Sequence, residues 1–217
     1  MQRYDVVLFD MDGTLVDTGL GVTCSVAYAL KKFGIEESDP AKLFRFIGPP
    51  LPESFATFYG MDEAQIEQAV SYYRERYRTT GIYENEHYDG MPETLAQLKQ
   101  AGIRLAVATS KPEEFAKEIL RKMDLEIYFD FIGGATMDLS RNKKIDVMQY
   151  VLEHVGDSDK SRILMVGDRH YDINGAKHFG IDSVGVTFGY GSREELAEAQ
   201  ATYLVDHAVD ILKIVLQ

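Results

Sequence analysis

The first clear pattern in the chain is Tyr4-Asp5-Val6-Val7-Leu8-Phe9, a short and nearly unbroken apolar run that predicts a buried strand of a parallel sheet. The texture then changes. From about Thr18 to Thr80 apolar positions recur at helical spacing and no strand pattern is visible. Val22, Val26, Ala29, Leu30 and Phe33 make one stripe, closed by Gly34 as a helix-ending glycine. Asp62 and Gln65 have the spacing of a capping box, followed by the stripe Ile66, Ala69, Val70, Tyr73 and Tyr77, which Gly81 ends. Between the two stripes, Gly48-Pro49-Pro50-Leu51-Pro52 breaks the pattern, and a short helix is predicted from Pro52 to Gly60.

From about residue 90 onward, strand and helix patterns alternate. Helices are predicted over 92–101, 112–123, 144–155 and 170–179, with strands over 104–109, 128–132, 162–166 and 183–186. A short strand and a last helix follow Tyr203. Such alternation predicts βαβ units, hence an α/β fold with a doubly wound parallel sheet and helices on both faces. The helical block then reads as an insertion. The expected organisation is a core built from residues 1–15 and 89–217, with an inserted all-helical domain over 16–88.

The chain has 217 residues, enough for one domain with a modest insertion, and is 45% hydrophobic and 27% charged. Its net charge of −12 disfavours a sequence-independent hold on nucleic acid or on an anionic membrane, both of which need a basic face. No apolar stretch reaches membrane-spanning length, and Met1-Gln2-Arg3 runs directly into the first strand without a signal-peptide pattern. The single cysteine, Cys24, excludes an internal disulfide and fits a reducing, cytoplasmic setting. In an apolar helix pattern Cys24 reads as packing. An anionic small molecule stays within reach of so acidic a chain, provided its pocket carries local cations.

The chemistry gathers at the strand ends. The first strand runs into Asp10-Met11-Asp12-Gly13-Thr14, where side-chain period two lets Asp10 and Asp12 project the same way while Gly13 permits a tight exit. Two carboxylates held this close repel one another and lose hydration, an arrangement that calls for a cation. The strand over 104–109 ends in Ser110 and Lys111, and the strand over 162–166 ends in Gly167-Asp168, with Asp172 one helical turn later. In a doubly wound sheet the carboxyl ends of the strands form the ligand rim. Asp10 and Asp168 with further oxygens make a hard, incomplete cage suited to Mg²⁺. Ser110 and the amides after it are expected at a helix N-terminus, an anion site, and Lys143 or Lys144 adds positive charge. Phosphoryl transfer needs these parts: an oxygen nucleophile, a metal, fixed donors and an acid for the leaving group.

Asp10-x-Asp12-Gly13-Thr14, Thr109-Ser110-Lys111, a lysine within Arg141-Asn142-Lys143-Lys144, and Gly167-Asp168-x-x-x-Asp172 resemble the four ordered motifs of the haloacid-dehalogenase-like hydrolase superfamily. The likeness covers essentially the whole chain, and the 18–80 block is similar to that superfamily's helical cap. Within it the chain resembles the phosphoglycolate-phosphatase-like subgroup, some of whose relatives are 5′-nucleotidases. The resemblance implies a Rossmann-like core and a Mg²⁺-dependent phosphatase in which Asp10 attacks phosphorus and Asp12 acts as general acid and base. It implies Asp10, Asp12 (through its carbonyl), Asp168 and Asp172 around the metal. Ser110, Lys111, Gly13, Thr14 and a lysine would hold the phosphate. The Lys-Pro pairing of the third motif is missing, and Lys144 is preferred over Lys143 from its spacing to Asp146 and Val147. The partner implied is a small phosphorylated metabolite, with no nucleic acid and no membrane, and the protein itself a monomer or homodimer.

Three further readings stand beside this one: a phosphosugar mutase, a phosphonate hydrolase using Lys31, Lys32 or Lys42 for a Schiff base, and a phospho-acceptor signalling module. The last is disfavoured by chain length and by the second acid, Asp12. His170 reads as solvated or supporting, and the tyrosine- and arginine-rich run from Tyr72 to Arg78 as core on one face and solvated cations on the other. Asp17 and Arg45 are polar candidates for the border of the pocket, and either can be structural. The Gly48-Pro49-Pro50 turn is the expected element of the inserted domain to shape substrate preference.

Overall fold

A computed structural model describes residues 3–156 and 159–217. Along the chain these form β1 (Val6–Phe9), β2 (Val16–Asp17), α1 (Gly19–Lys32), α2 (Pro40–Phe44), α3 (Leu51–Tyr59), α4 (Glu63–Thr79), β3 (Glu86–His87) and α5 (Met91–Gln100). They continue as β4 (Arg104–Pro112), α6 (Glu113–Lys122), β5 (Phe131–Ala135), α7 (Lys144–Val155), β6 (Ile163–Gly167), α8 (His170–Phe179), β7 (Asp182–Val186), α9 (Arg193–Glu198), β8 (Tyr203–Val205) and α10 (Asp210–Val215). The chain divides into two compact units, one made of Met1–Asp17 and His87–Gln217, the other of Thr18–Glu86.

In the first unit the sheet runs β5-β4-β1-β6-β7-β8, with every neighbouring pair parallel. β1 is central because it is apolar on both faces: Val6, Val7, Leu8 and Phe9 are all fully buried. Val6 and Leu8 join Ala106, Ala108, Met165, Val147, Met148, Val151 and Ala176 in one core layer, which α7 and α8 cover. The alternate positions Val7, Phe9, Leu105, Val107, Leu164 and Val166 are also fully buried and project to the opposite face. From β1 the chain winds outward through β4 to β5, then returns to the other side of β1 for β6. The winding reverses at the central strand, so the carboxyl ends of β1, β4 and β6 lie side by side at the switch point.

The second unit is helical, and α1 packs on α4. α4 starts at the capping box, with Asp62 accepting from the Gln65 amide and the Gln65 side chain accepting from the Asp62 amide. Phe46 anchors the other end of this unit, its ring centroid 5.0 Å from Phe55 and 5.3 Å from Phe58. Among the described residues, no helix is long and apolar enough to cross a membrane.

β2, β3 and α9 have no counterpart in the sequence pattern, and the structure differs from it elsewhere as well. The strand expected over 104–109 extends to Pro112, with an irregularity between Thr109 and Pro112, so Ser110 and Lys111 lie in the strand and α6 begins only at Glu113. Ser110 is therefore not a helix cap. The segment 126–128 is a short 3₁₀ turn and β5 starts at Phe131, because the apolar run is divided by Asp130, whose side chain accepts from the Leu105 amide and from Lys99. α2 has no apolar stripe to announce it. It forms where Asp39 caps the Ala41 amide and Pro40 starts the helix.

Candidate active site

Asp10 follows the last residue of β1 and is 3% exposed, its backbone amide donating to the Val166 carbonyl of β6. The chain then turns tightly: the amides of Thr14, Leu15 and Val16 all donate to the Met11 carbonyl, and that of Gly13 to Val16. Gly13 has φ +85°, and a Cβ there would fall inside the Asp168 carboxylate. Glycine is required on both counts. Asp168 follows β6, fully buried, with Oδ2 accepting from the Tyr190 amide at 2.8 Å and Oδ1 within 3.5 Å of the Thr14 hydroxyl. Asp172, in the first turn of α8, accepts from the Arg169 amide at 3.1 Å.

Carboxylate oxygens of Asp10, Asp168 and Asp172, one from each, lie within 4.8 Å of one another, and all three residues are buried. The Lys144 ammonium, at the start of α7, is 2.7 Å from Asp10 Oδ1 and 2.8 Å from Asp172 Oδ1, and donates to the Ala108 carbonyl at 2.9 Å. Lys143 is exposed. Lys111 is buried, with its ammonium 3.0 Å from Asp12 Oδ1. Its amide donates to the Thr109 hydroxyl. Ser110 lies half-buried between these two residues.

Burial pushes the Asp10 carboxyl up from 3.8 to about 7, and the neighbouring charges of Asp172 and Asp12 add to the rise while Lys144 opposes it. Asp168 is raised well above the ordinary range, again first by burial and then by Asp10 and Asp172. Burial works against the charge on Lys144, but the carboxylates of Asp10 and Asp172 outweigh it and hold the ammonium firmly protonated. When all four acids are ionised, four carboxylates face two ammoniums, which leaves an excess equal to the charge of one divalent cation. An all-oxygen set of this kind suits Mg²⁺.

A stability consequence follows. Between the unfolded and folded values of Asp10 the folded chain binds more protons, so metal-free stability falls as pH rises from about 4 to about 7 and stays low above that. A cation binds the ionised form and offsets that cost. Saturating Mg²⁺ is therefore expected to raise the melting temperature more at about pH 8 than at about pH 5. Calorimetry at the two pH values checks this; equal shifts would contradict a metal held by these carboxylates.

Other candidates lie elsewhere. His170 Nδ1 is 2.7 Å from Glu195 Oε1, and Asp17 accepts from the Tyr190 hydroxyl. The Arg45 guanidinium sits 3.9 Å above the Phe58 ring within the helical unit. Lys32 lies over the Tyr28 and Tyr72 rings, and its side-chain hydrogen bond with Tyr28 raises its pKa, the reverse of what a Schiff-base lysine needs. Lys42 pairs with Glu37 at 3.1 Å. The sequence reading missed Tyr190 and Glu195. For Tyr190 the signal was Gly189-Tyr190-Gly191 just beyond β7, at the same carboxyl rim as the other site residues.

The family model for haloacid dehalogenase-like hydrolases matches residues 7–186. The chain belongs to that family. It is 45% identical over 201 residues to a 5′-nucleotidase of Pseudomonas aeruginosa, covering 93% of this chain and 90% of the relative. It is 39% identical over 206 residues to the tyrosine-protein kinase PtkA of Mycobacterium tuberculosis, covering 95% of this chain and 69% of the relative. The crystal structure of a predicted phosphatase from Clostridium acetobutylicum superposes with a TM-score of 0.95 at 43% identity, covering 98% of both chains. Within the family this chain is a hydrolase of the phosphatase kind.

Proposed function

We propose that the protein is a Mg²⁺-dependent phosphatase that hydrolyses a small phosphomonoester through an aspartyl phosphate on Asp10. The observation that carries this reading is the buried Asp10 carboxylate at the end of β1, held at 2.7 Å by Lys144, with a second acid, Asp12, two residues further on. Lys144 restricts Asp10 to one orientation, which favours in-line attack. A carboxylate oxygen of Asp10 bonds to phosphorus as the ester oxygen departs, and Asp12 gives that oxygen its proton. Asp12, now a carboxylate, takes a proton from the water that attacks phosphorus, and the Asp10–phosphorus bond breaks to release phosphate. Lys111 is 3.0 Å from Asp12 and neutralises it in its ionised form.

Asp10, the Asp12 carbonyl, Asp168 and Asp172 are the groups that would hold Mg²⁺, which supplies charge neutralisation for the phosphoryl oxygens when bound. Ser110, Lys111 and Lys144 are assigned to the phosphate; the Gly13 and Thr14 amides, expected there from sequence, are instead committed to the Val16 and Met11 carbonyls within the turn. Asp12 favours hydrolysis over a stable phospho-acceptor role, since it equips the site to discharge the intermediate. The substrate class is that of phosphoglycolate-phosphatase-like enzymes. The Pseudomonas relative supports a 5′-nucleotide as the second reading. The test is hydrolysis of p-nitrophenyl phosphate before and after chelation. Activity is expected to fall at least about 100-fold without metal and to return on addition of Mg²⁺; activity indifferent to chelation would overturn the reading.

A further inference from the structure

Asp168 and Asp172 are joined by a turn, Arg169-His170-Tyr171, whose shape decides where both carboxylates stand. Arg169 is held at two points. Its backbone amide donates to Asp172 Oδ2 at 3.1 Å, and its guanidinium Nε donates to Glu195 Oε1 at 2.9 Å. The same Glu195 oxygen accepts from the His170 amide at 2.9 Å and lies 2.7 Å from His170 Nδ1. One carboxylate oxygen on α9 thus gathers a side chain, a backbone amide and an imidazole from the residues directly after Asp168. Ser192 caps the Glu195 amide at 3.1 Å and fixes the glutamate in turn. The loop leading into α9 presses on Asp168 itself. The Tyr190 amide binds Asp168 Oδ2, and a Cβ at Gly191 would fall on the Asp168 carbonyl oxygen.

We propose that Glu195 is a positioning residue for the metal-binding carboxylates, fixing the turn from Asp168 to Asp172 through its contacts with Arg169 and His170. It touches neither carboxylate, so its effect is on the geometry of the oxygen set rather than on the chemistry. Burial would push the Glu195 carboxyl up, but the donors from His170 and Arg169 outweigh it and keep the group ionised, so the clamp is charge-assisted. An oxygen acceptor at this position is the essential requirement. The charge strengthens the contacts with Arg169 and His170, while the backbone amide of His170 needs only an acceptor.

The inference rests on the proposed metal site, and its test keeps the two separable. Direct Mn²⁺ binding by titration calorimetry is compared among wild type, Glu195→Ala and Glu195→Gln, with the melting temperature of each recorded. Glu195→Ala is expected to bind Mn²⁺ about 10-fold more weakly, the usual scale for a residue that supports metal ligands, while Glu195→Gln stays within about threefold of wild type. In p-nitrophenyl phosphate hydrolysis, the Mg²⁺ concentration for half-maximal rate should rise in Glu195→Ala by the same factor, with turnover at saturating metal within about threefold of wild type. Unchanged Mn²⁺ binding in Glu195→Ala overturns the inference and leaves the metal site standing. Equal losses in both variants, tracking a fall in melting temperature, overturn it in favour of a purely structural role. Wild type that binds no Mn²⁺ overturns the metal site and the inference together.

Discussion

Asp10→Asn is expected to reduce turnover of any phosphomonoester by about 10⁵-fold or more, the scale seen when a covalent nucleophile is removed. The amide is isosteric but does not attack phosphorus. The loss is chemical rather than structural, because Lys144 keeps Asp172 as a partner at 2.8 Å and its bond to the Ala108 carbonyl. Removing one buried carboxylate also removes part of the repulsion that lifts the neighbouring Asp168. The melting temperature of the metal-free variant above about pH 7 is therefore expected to match or exceed that of wild type. Circular dichroism melts beside initial-rate assays check both halves of this expectation. Retained activity in a folded variant would remove Asp10 from the reaction.

Asp12→Asn is expected to lower turnover by about 10²–10⁴-fold, the range for a lost general acid or base, with a pattern that depends on the leaving group. p-Nitrophenolate departs without a proton, so phosphorylation of Asp10 loses little with that ester, whereas an alkyl phosphate loses much more. The second step needs Asp12 as base whatever the ester. The variant should therefore accumulate phosphorylated Asp10 when given p-nitrophenyl phosphate and show a burst of one p-nitrophenol per enzyme. Stopped-flow absorbance reads the burst; equal losses for aryl and alkyl esters with no burst would assign Asp12 a different part. The Lys111 ammonium, at 3.0 Å, loses one ionic contact in this variant.

Much of the fold was legible because the two patterns hardly overlap. Val6 to Phe9 is apolar at every position, as a strand covered on both faces must be, while α4 carries its apolar residues at helical spacing behind an Asp62–Gln65 box. Asp10, Asp12, Asp168 and Asp172 could be singled out because acids at the ends of buried strands are costly without a cation. The signals that failed were local. Ser110 and Lys111 resemble a strand end followed by a helix start, and only pairing with β5 carries the strand on to Pro112. Asp130 interrupts an apolar run because its partners, Leu105 and Lys99, lie far away in sequence. Glu195 is one acid among several on a short, exposed helix, and nothing in its spacing reveals that it reaches Arg169 and His170. Tertiary contacts of this kind leave no periodic trace.

The central claim is that phosphate passes through a covalent bond to Asp10. The measurement that tests it most directly is acid quenching of Asp12→Asn during turnover of p-nitrophenyl phosphate with Mg²⁺, followed by borohydride reduction, proteolysis and peptide mass spectrometry. The account predicts reduction of the Asp10 acyl phosphate to homoserine in the peptide containing β1, absent without substrate and absent when Asp10→Asn is added. Active enzyme in which that peptide stays unmodified, with no burst of p-nitrophenol, would mean that water attacks the ester directly and would contradict the account.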